Sequence, residues 1–114
     1  MIHLYLDDYR RCPKGFKLAR NADECLMALQ LEEVDILSLD YDLGPSGVTG
    51  RDVVTQMINQ GLFPREVYLH TSSMCGKKEM YELLYQHKPE YMILHNGPMP
   101  AKVAERIAEE YEGV

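Results

Sequence analysis

Apolar residues along this chain follow two rhythms. Ile2–Leu6, Val34–Leu39, residues 66–70 and residues 91–94 are short runs dense in Leu, Ile, Val and Tyr, and they read as strands. Phe16–Ala19 alternates weakly and reads as a short edge strand. Between these runs the apolar positions recur with helical spacing. Asn21 is placed as an N-cap with Glu24 at the capping-box position, opening a helix that carries Cys25, Leu26 and Leu29 to about Glu33. Arg51 opens a second helix with Val53, Val54, Met57 and Ile58 on one face, ended by Gly61. A third runs from about Gly76 to His87 with Met80, Leu83 and Leu84 inward. Pro98 and Pro100 suit the first turn of a last helix, whose expected buried stripe is Val103, Ala104, Ile107, Ala108 and Tyr111.

Strands alternating with helices predict a parallel sheet in a single α/β domain spanning residues 1–114. One connection breaks the rule. Only residues 7–15 separate the first two strands, whereas a parallel crossover normally needs a dozen or more residues. Either this segment crosses in extended form, or the second strand is short or antiparallel.

The central run ends abruptly in Asp40-Tyr41-Asp42, followed by a Gly- and Pro-rich turn. A run buried on both faces places these acids at the carboxyl edge of the sheet, where ligands bind in open α/β folds. Other strand ends bring Asp7 and Asp8, then His70 to Ser73, then His95 and Asn96 to the same edge. An acid after a strand is commonly a turn residue; the convergence of these groups is what marks a site. Asp7, Asp8, Asp40 and Asp42 can offer oxygen ligands to a divalent metal, Mg²⁺ or Mn²⁺, and a mixed carboxylate–histidine set widens the choice to Fe²⁺ or Zn²⁺. His70 and His95, at the ends of neighbouring strands, are expected to serve as general base and general acid, with Asp40 as the third catalytic group. Arg10, Thr71, Ser72 and Asn96 are the expected phosphate-binding residues.

Composition narrows the class. The net charge of −6 argues against non-specific nucleic-acid binding, although Arg10, Arg11, Lys14, Lys17 and Arg20 form a local basic stretch. Three unpaired cysteines and no apolar leader before the first strand predict a cytoplasmic protein, and no run approaches the ~20 apolar residues of a membrane helix. No phosphate-binding Gly-x-x-x-x-Gly-Lys loop, no cysteine followed six residues on by arginine, and no Gly-x-Ser-x-Gly elbow is present.

The order of elements resembles the receiver domain of two-component response regulators. Receivers carry an acidic pair after strand one, a phosphoacceptor aspartate after strand three, a Thr or Ser after strand four and a lysine after strand five. Asp7-Asp8, Asp40 and Thr71 (or Ser72) match the first three; His95 and Asn96 stand in place of the lysine, and Lys102 lies too far into the last helix. Asp7-Asp8-Tyr9-Arg10, the stretch 38–44 and His70-Thr71-Ser72-Ser73 are similar to a divergent branch, the cyclic-phosphate processing receiver-like family, over about residues 2–98. The resemblance implies a flavodoxin-like sheet of five parallel strands in the order 2-1-3-4-5, with the first receiver helix shortened or absent. It also implies a role in processing cyclic phosphate ends or cyclic nucleotides. The leading expectation is a metal-dependent phosphoesterase or cyclic-phosphate hydrolase. The alternative is a signalling module with Asp40 as phosphoacceptor, acting through a protein partner.

Overall fold

A computed structural model of the chain describes residues 1–113. Nine elements follow one another among them: β1 (Ile2–Leu6), β2 (Phe16–Ala19), α1 (Ala22–Leu31), β3 (Val34–Leu39), α2 (Gly50–Gln60), β4 (Glu66–Leu69), α3 (Met74–His87), β5 (Ile93–Leu94) and α4 (Ala101–Glu112). The strands make one sheet in the order β2-β1-β3-β4-β5. Every neighbouring pair is parallel.

Burial on two faces explains the apolar run of β3. Leu37 and Leu39 join Leu4, Leu6, Val67 and Leu69 in the main core, under Cys25 of α1, Val53 and Met57 of α2, and Met80 and Leu84 of α3. Ile36 points the other way, to Tyr68 and to Ile107 of α4. α2 packs between α1 and α3 on the first face. On the second face Val103 and Ile107 of α4 pack with Phe16 and Met99 over Ile36 and Tyr68.

The connection from β1 to β2 contains no helix. Residues 7–15 form an extended strap, and β2 is both short and parallel to β1, with His3 opposite Phe16. The strap is tied at both ends. The guanidinium of Arg20 donates to the carbonyls of Asp7 (3.2 Å) and Arg10 (2.9 Å). The Phe16 amide donates to Pro13 O (3.2 Å), and Lys14 pairs with Glu112 of α4. The receiver's first helix is thus absent, and the strap returns to β2 beside α4.

Element boundaries shift where local caps were not recognised in the sequence. α3 begins at Met74, because the Ser73 hydroxyl accepts the Gly76 amide at 3.0 Å. α2 begins at Gly50 on a capping box of Thr49 and Asp52. β5 shrinks to two residues, since the Met92 amide turns back to Pro89 O (3.1 Å). Pro100 is the cap of α4 rather than part of its first turn, and Pro98 lies outside the helix. The expected α4 stripe is only partly realised: Ile107 is buried, Val103, Ala104 and Ala108 are half-buried, and Tyr111 is 61% exposed. Gly61 ends α2 as expected, at φ 68°.

Gly50 fixes the floor of the carboxyl edge. A Cβ there would stand 2.2 Å from the Asp40 carbonyl oxygen and 2.8 Å from Met80 Sδ. Alanine favours helix over glycine by up to ~1 kcal/mol, but here the methyl meets backbone that cannot yield. Gly50→Ala is expected to lower the unfolding free energy by about 2 kcal/mol, within the range for overpacking. Urea denaturation checks this, and a variant as stable as the parent would show that α2 can shift away from β3.

Candidate functional site

The first acid of the chain ends β1 fully buried. Asp7 Oδ1 accepts the backbone amides of Tyr9 (3.0 Å) and Arg10 (2.8 Å), which turn the strap away from the sheet. Its Oδ2 accepts Arg10 Nη1 (2.9 Å) and His70 Nε2 (2.9 Å). A carboxylate offers about four acceptor positions, and all are used. Burial by itself pushes the Asp7 pKa up, but the two amides, the guanidinium and the imidazole outweigh it and hold it at about 2.

Asp40 follows β3 and is 2% exposed. Oδ1 accepts the Tyr41 amide (2.8 Å) and Oδ2 accepts the same Arg10 Nη1 (3.2 Å). Its balance goes the other way: burial raises its pKa, the nearby Asp7 charge adds to the rise, and the Tyr41 amide, His70 and the Thr71 side chain only partly offset it. One nitrogen of Arg10 therefore bridges the two buried carboxylates, and its guanidinium lies 5.0 Å over the Tyr9 ring.

His70 leans from the end of β4 across β3. Its ring stacks on Tyr5 at 4.4 Å, and its Nδ1 lies 2.7 Å from Ser38 Oγ. Burial lowers the His70 pKa against the pull of Asp7 and Asp40, so the ring is favoured neutral. An ionised Asp7 can only accept, so Nε2–H donates to it and Nδ1 accepts from the Ser38 hydroxyl. Ser38, His70 and Asp7 thus lie in line, yet Ser38 is 1% exposed and reaches no substrate. It positions the ring.

Ligand atoms of Asp7, Asp40 and His70 all lie within 4.8 Å of one another. Two carboxylates and an imidazole suit Mn²⁺, Fe²⁺ or Zn²⁺, and Mg²⁺ less well because of the nitrogen donor. Above them is a cleft of about 160 Å³ lined by Asp8, Tyr9, Arg10, Asp40, Asp42, Gly44 and Ser72. That is room for one phosphate group, with the mouth of the cleft open to solvent.

The remaining expected residues are distributed unevenly. Asp8 and Asp42 stand at the cleft mouth outside the three-ligand group, and Asp42 accepts the Gly44 amide of its own turn (3.3 Å). Ser72 lines the cleft, whereas the Thr71 hydroxyl accepts the Ser73 amide (3.1 Å). Asn96 is exposed and away from the cleft lining. His95 does not sit level with His70. It follows the Val67–Leu94 pair, so it stands beside Tyr68, stacks on that ring at 4.1 Å and donates from Nε2 to Glu66 (2.7 Å). The short β5 starts two residues too low for the histidines to meet. Ser38 and the bridging role of Arg10 were not read from the sequence. A lone hydroxyl inside an apolar strand, and an Asp-x-x-Arg spacing, are the signals that mark them.

The two acids have opposite effects on stability. Asp7, held at about 2 from an ordinary 3.8, contributes stability above pH 3.8 that is lost as pH falls towards 2. Asp7→Asn is expected to lower unfolding free energy at neutral pH by about 2 kcal/mol, with the deficit closing through that window. Asp40, held above its ordinary value, is a buried charge disfavoured at neutral pH, so Asp40→Asn is expected to raise the melting temperature. Denaturation across pH 2–7 checks both; an Asp40→Asn protein less stable than its parent would mean that the Arg10 pairing outweighs desolvation.

A family model described as the cyclic-phosphate processing receiver domain matches residues 2–86. The matched span holds Asp7, Arg10, Ser38, Asp40, His70 and Ser72, and it stops before His95. No curated protein matches the chain. The matched span covers well over half of the sequence and the whole of the carboxylate–histidine cluster, and the chain belongs to the cyclic-phosphate processing receiver domain family.

Proposed function

We propose that this protein is a metal-assisted phosphoesterase that opens or removes a cyclic phosphate on a nucleotide or nucleic-acid end. The observation that carries this reading is a phosphate-sized cleft whose floor is the buried carboxylate Asp40, beside Arg10 and the Asp7–His70 pair. Asp40 takes a proton from the water as it attacks phosphorus, the P–O ester bond opens, and the departing oxygen takes a proton from solvent at the open mouth. Ser72 and Arg10 offer donors to the phosphate oxygens. Asp7 and Asp40 would hold a divalent ion, which would supply charge stabilisation to the phosphoryl oxygens, with His70 beside them. His70 acts here by orienting Asp7, and His95, committed to Glu66, is left out of the catalytic set.

Millimolar Mn²⁺ is expected to raise the melting temperature of the parent protein and leave Asp40→Asn unmoved. With Mn²⁺ or Mg²⁺, a screen of 2′,3′-cyclic and 3′,5′-cyclic nucleotides is expected to find hydrolysis. His70→Ala should reduce it by roughly 10–100-fold, the usual effect of losing a group that orients or completes a metal site. His95→Ala should change it by no more than a few-fold. No turnover of any cyclic phosphate, with the parent folded and metal-bound, would sink the hydrolase reading.

A second reading, a receiver-like module with Asp40 as phosphoacceptor working through a protein partner, gains one support. The lysine absent after strand five is replaced in charge by Arg10, whose Nη1 stands 3.2 Å from Asp40 Oδ2. Acetyl phosphate is nevertheless expected to leave no lasting phosphoryl group on the protein, because Arg10 is already shared with Asp7. Intact-mass measurement checks this, and a single added phosphoryl lost in Asp40→Asn would favour the signalling module.

A further inference from the structure

We infer that Arg10 is the resident cation of this site, and that a divalent ion loads by exchanging places with its guanidinium. The inference rests on the metal-assisted reading above and concerns the order in which the site fills.

All acceptor positions of Asp7 are occupied, so no ion can bind it without breaking a hydrogen bond. The two bonds to Oδ1 come from backbone amides that form the turn after β1, and losing them would unmake the strap. The two bonds to Oδ2 come from side chains. Of these, His70 is 8% exposed, stacked on Tyr5 and held from behind by Ser38. Arg10 is 31% exposed, and its side chain lies towards the open cleft.

Geometry makes the exchange direct. The same Nη1 that bonds Asp7 Oδ2 bonds Asp40 Oδ2. It lies between the two carboxylates that would hold the ion, and two positive charges cannot occupy that place together. The backbone of Arg10 does not have to follow. Its amide remains on Asp7 Oδ1, and its carbonyl remains under Arg20. The side chain alone swings, and the cleft it enters is the one that takes the phosphate. In the ion-free protein the guanidinium is spent on the carboxylates; once displaced it is free for an anion. Metal binding thereby prepares phosphate binding, and Arg10 lowers the apparent affinity for metal.

Mn²⁺ titration followed by electron paramagnetic resonance, on the parent and on Arg10→Gln, tests the exchange. Charge-assisted bonds of this kind justify an expected tightening of roughly tenfold or more in Arg10→Gln, although the ion-free variant should melt lower than the parent. Equal or weaker binding in Arg10→Gln, with the parent binding Mn²⁺, overturns the exchange and leaves the metal reading intact. No Mn²⁺ binding by either protein overturns both. A second measurement needs no variant. In ¹⁵N-labelled parent protein, saturating Mg²⁺ should move the Arg10 side-chain Nε–H signal together with the Tyr41 amide. If the Tyr41 amide moves and the Arg10 signal stays fixed, the ion binds without displacing Arg10 and the inference falls.

Discussion

The structure depends on one buried carboxylate that is fully satisfied. Asp7 is out of water at the end of β1, where an unpaired charge would cost several kcal/mol. It is tolerated because two amides of the strap, a guanidinium and an imidazole meet it from different segments. Those four bonds close the β1–β2 turn and hold β4's histidine over β3. They also bring Arg10 to Asp40. The arrangement of the site follows from satisfying this one group.

The helix missing after β1 is what makes this possible. In a sheet with a full crossover, the residues after β1 would enter a helix and leave the edge. Here they stay beside the edge as a strap, and Arg20 clamps the carbonyls of Asp7 and Arg10 from the far end. Arg10 is thereby delivered to the carboxylates from within the same loop. With no helix in this connection, the strap itself places a cation against Asp40.

Asp40 and Asp7 sit side by side with opposite electrostatics. Asp7 has donors enough to be comfortably ionised, and Asp40 has too few. An acid kept under-satisfied at a cleft floor is poor for stability and useful for chemistry. The contrast separates a fully satisfied carboxylate from an under-satisfied one, although both end parallel strands in the same sheet.

Much of this was legible along the chain. The run 34–39, the alternation of strands and helices and the acids and histidine after the strands determined a parallel sheet with a polar carboxyl edge, because burial on two faces leaves a periodic trace in sequence. Short-range caps such as Ser73 and Thr49 were present but weaker than the apolar signal, which moved helix starts by one or two residues. Tertiary structure alone decided which strand ends meet. The register of β5 set His95 beside Tyr68 and Glu66, whereas His70 crossed to Ser38 and Asp7. It also decided that Arg10 bridges two acids and that Asp7 belongs to the cluster while Asp8 stands outside it. Those outcomes turn on register and side-chain direction between segments far apart in the chain. A strand's residue pattern records its own faces and carries no record of where its neighbour begins.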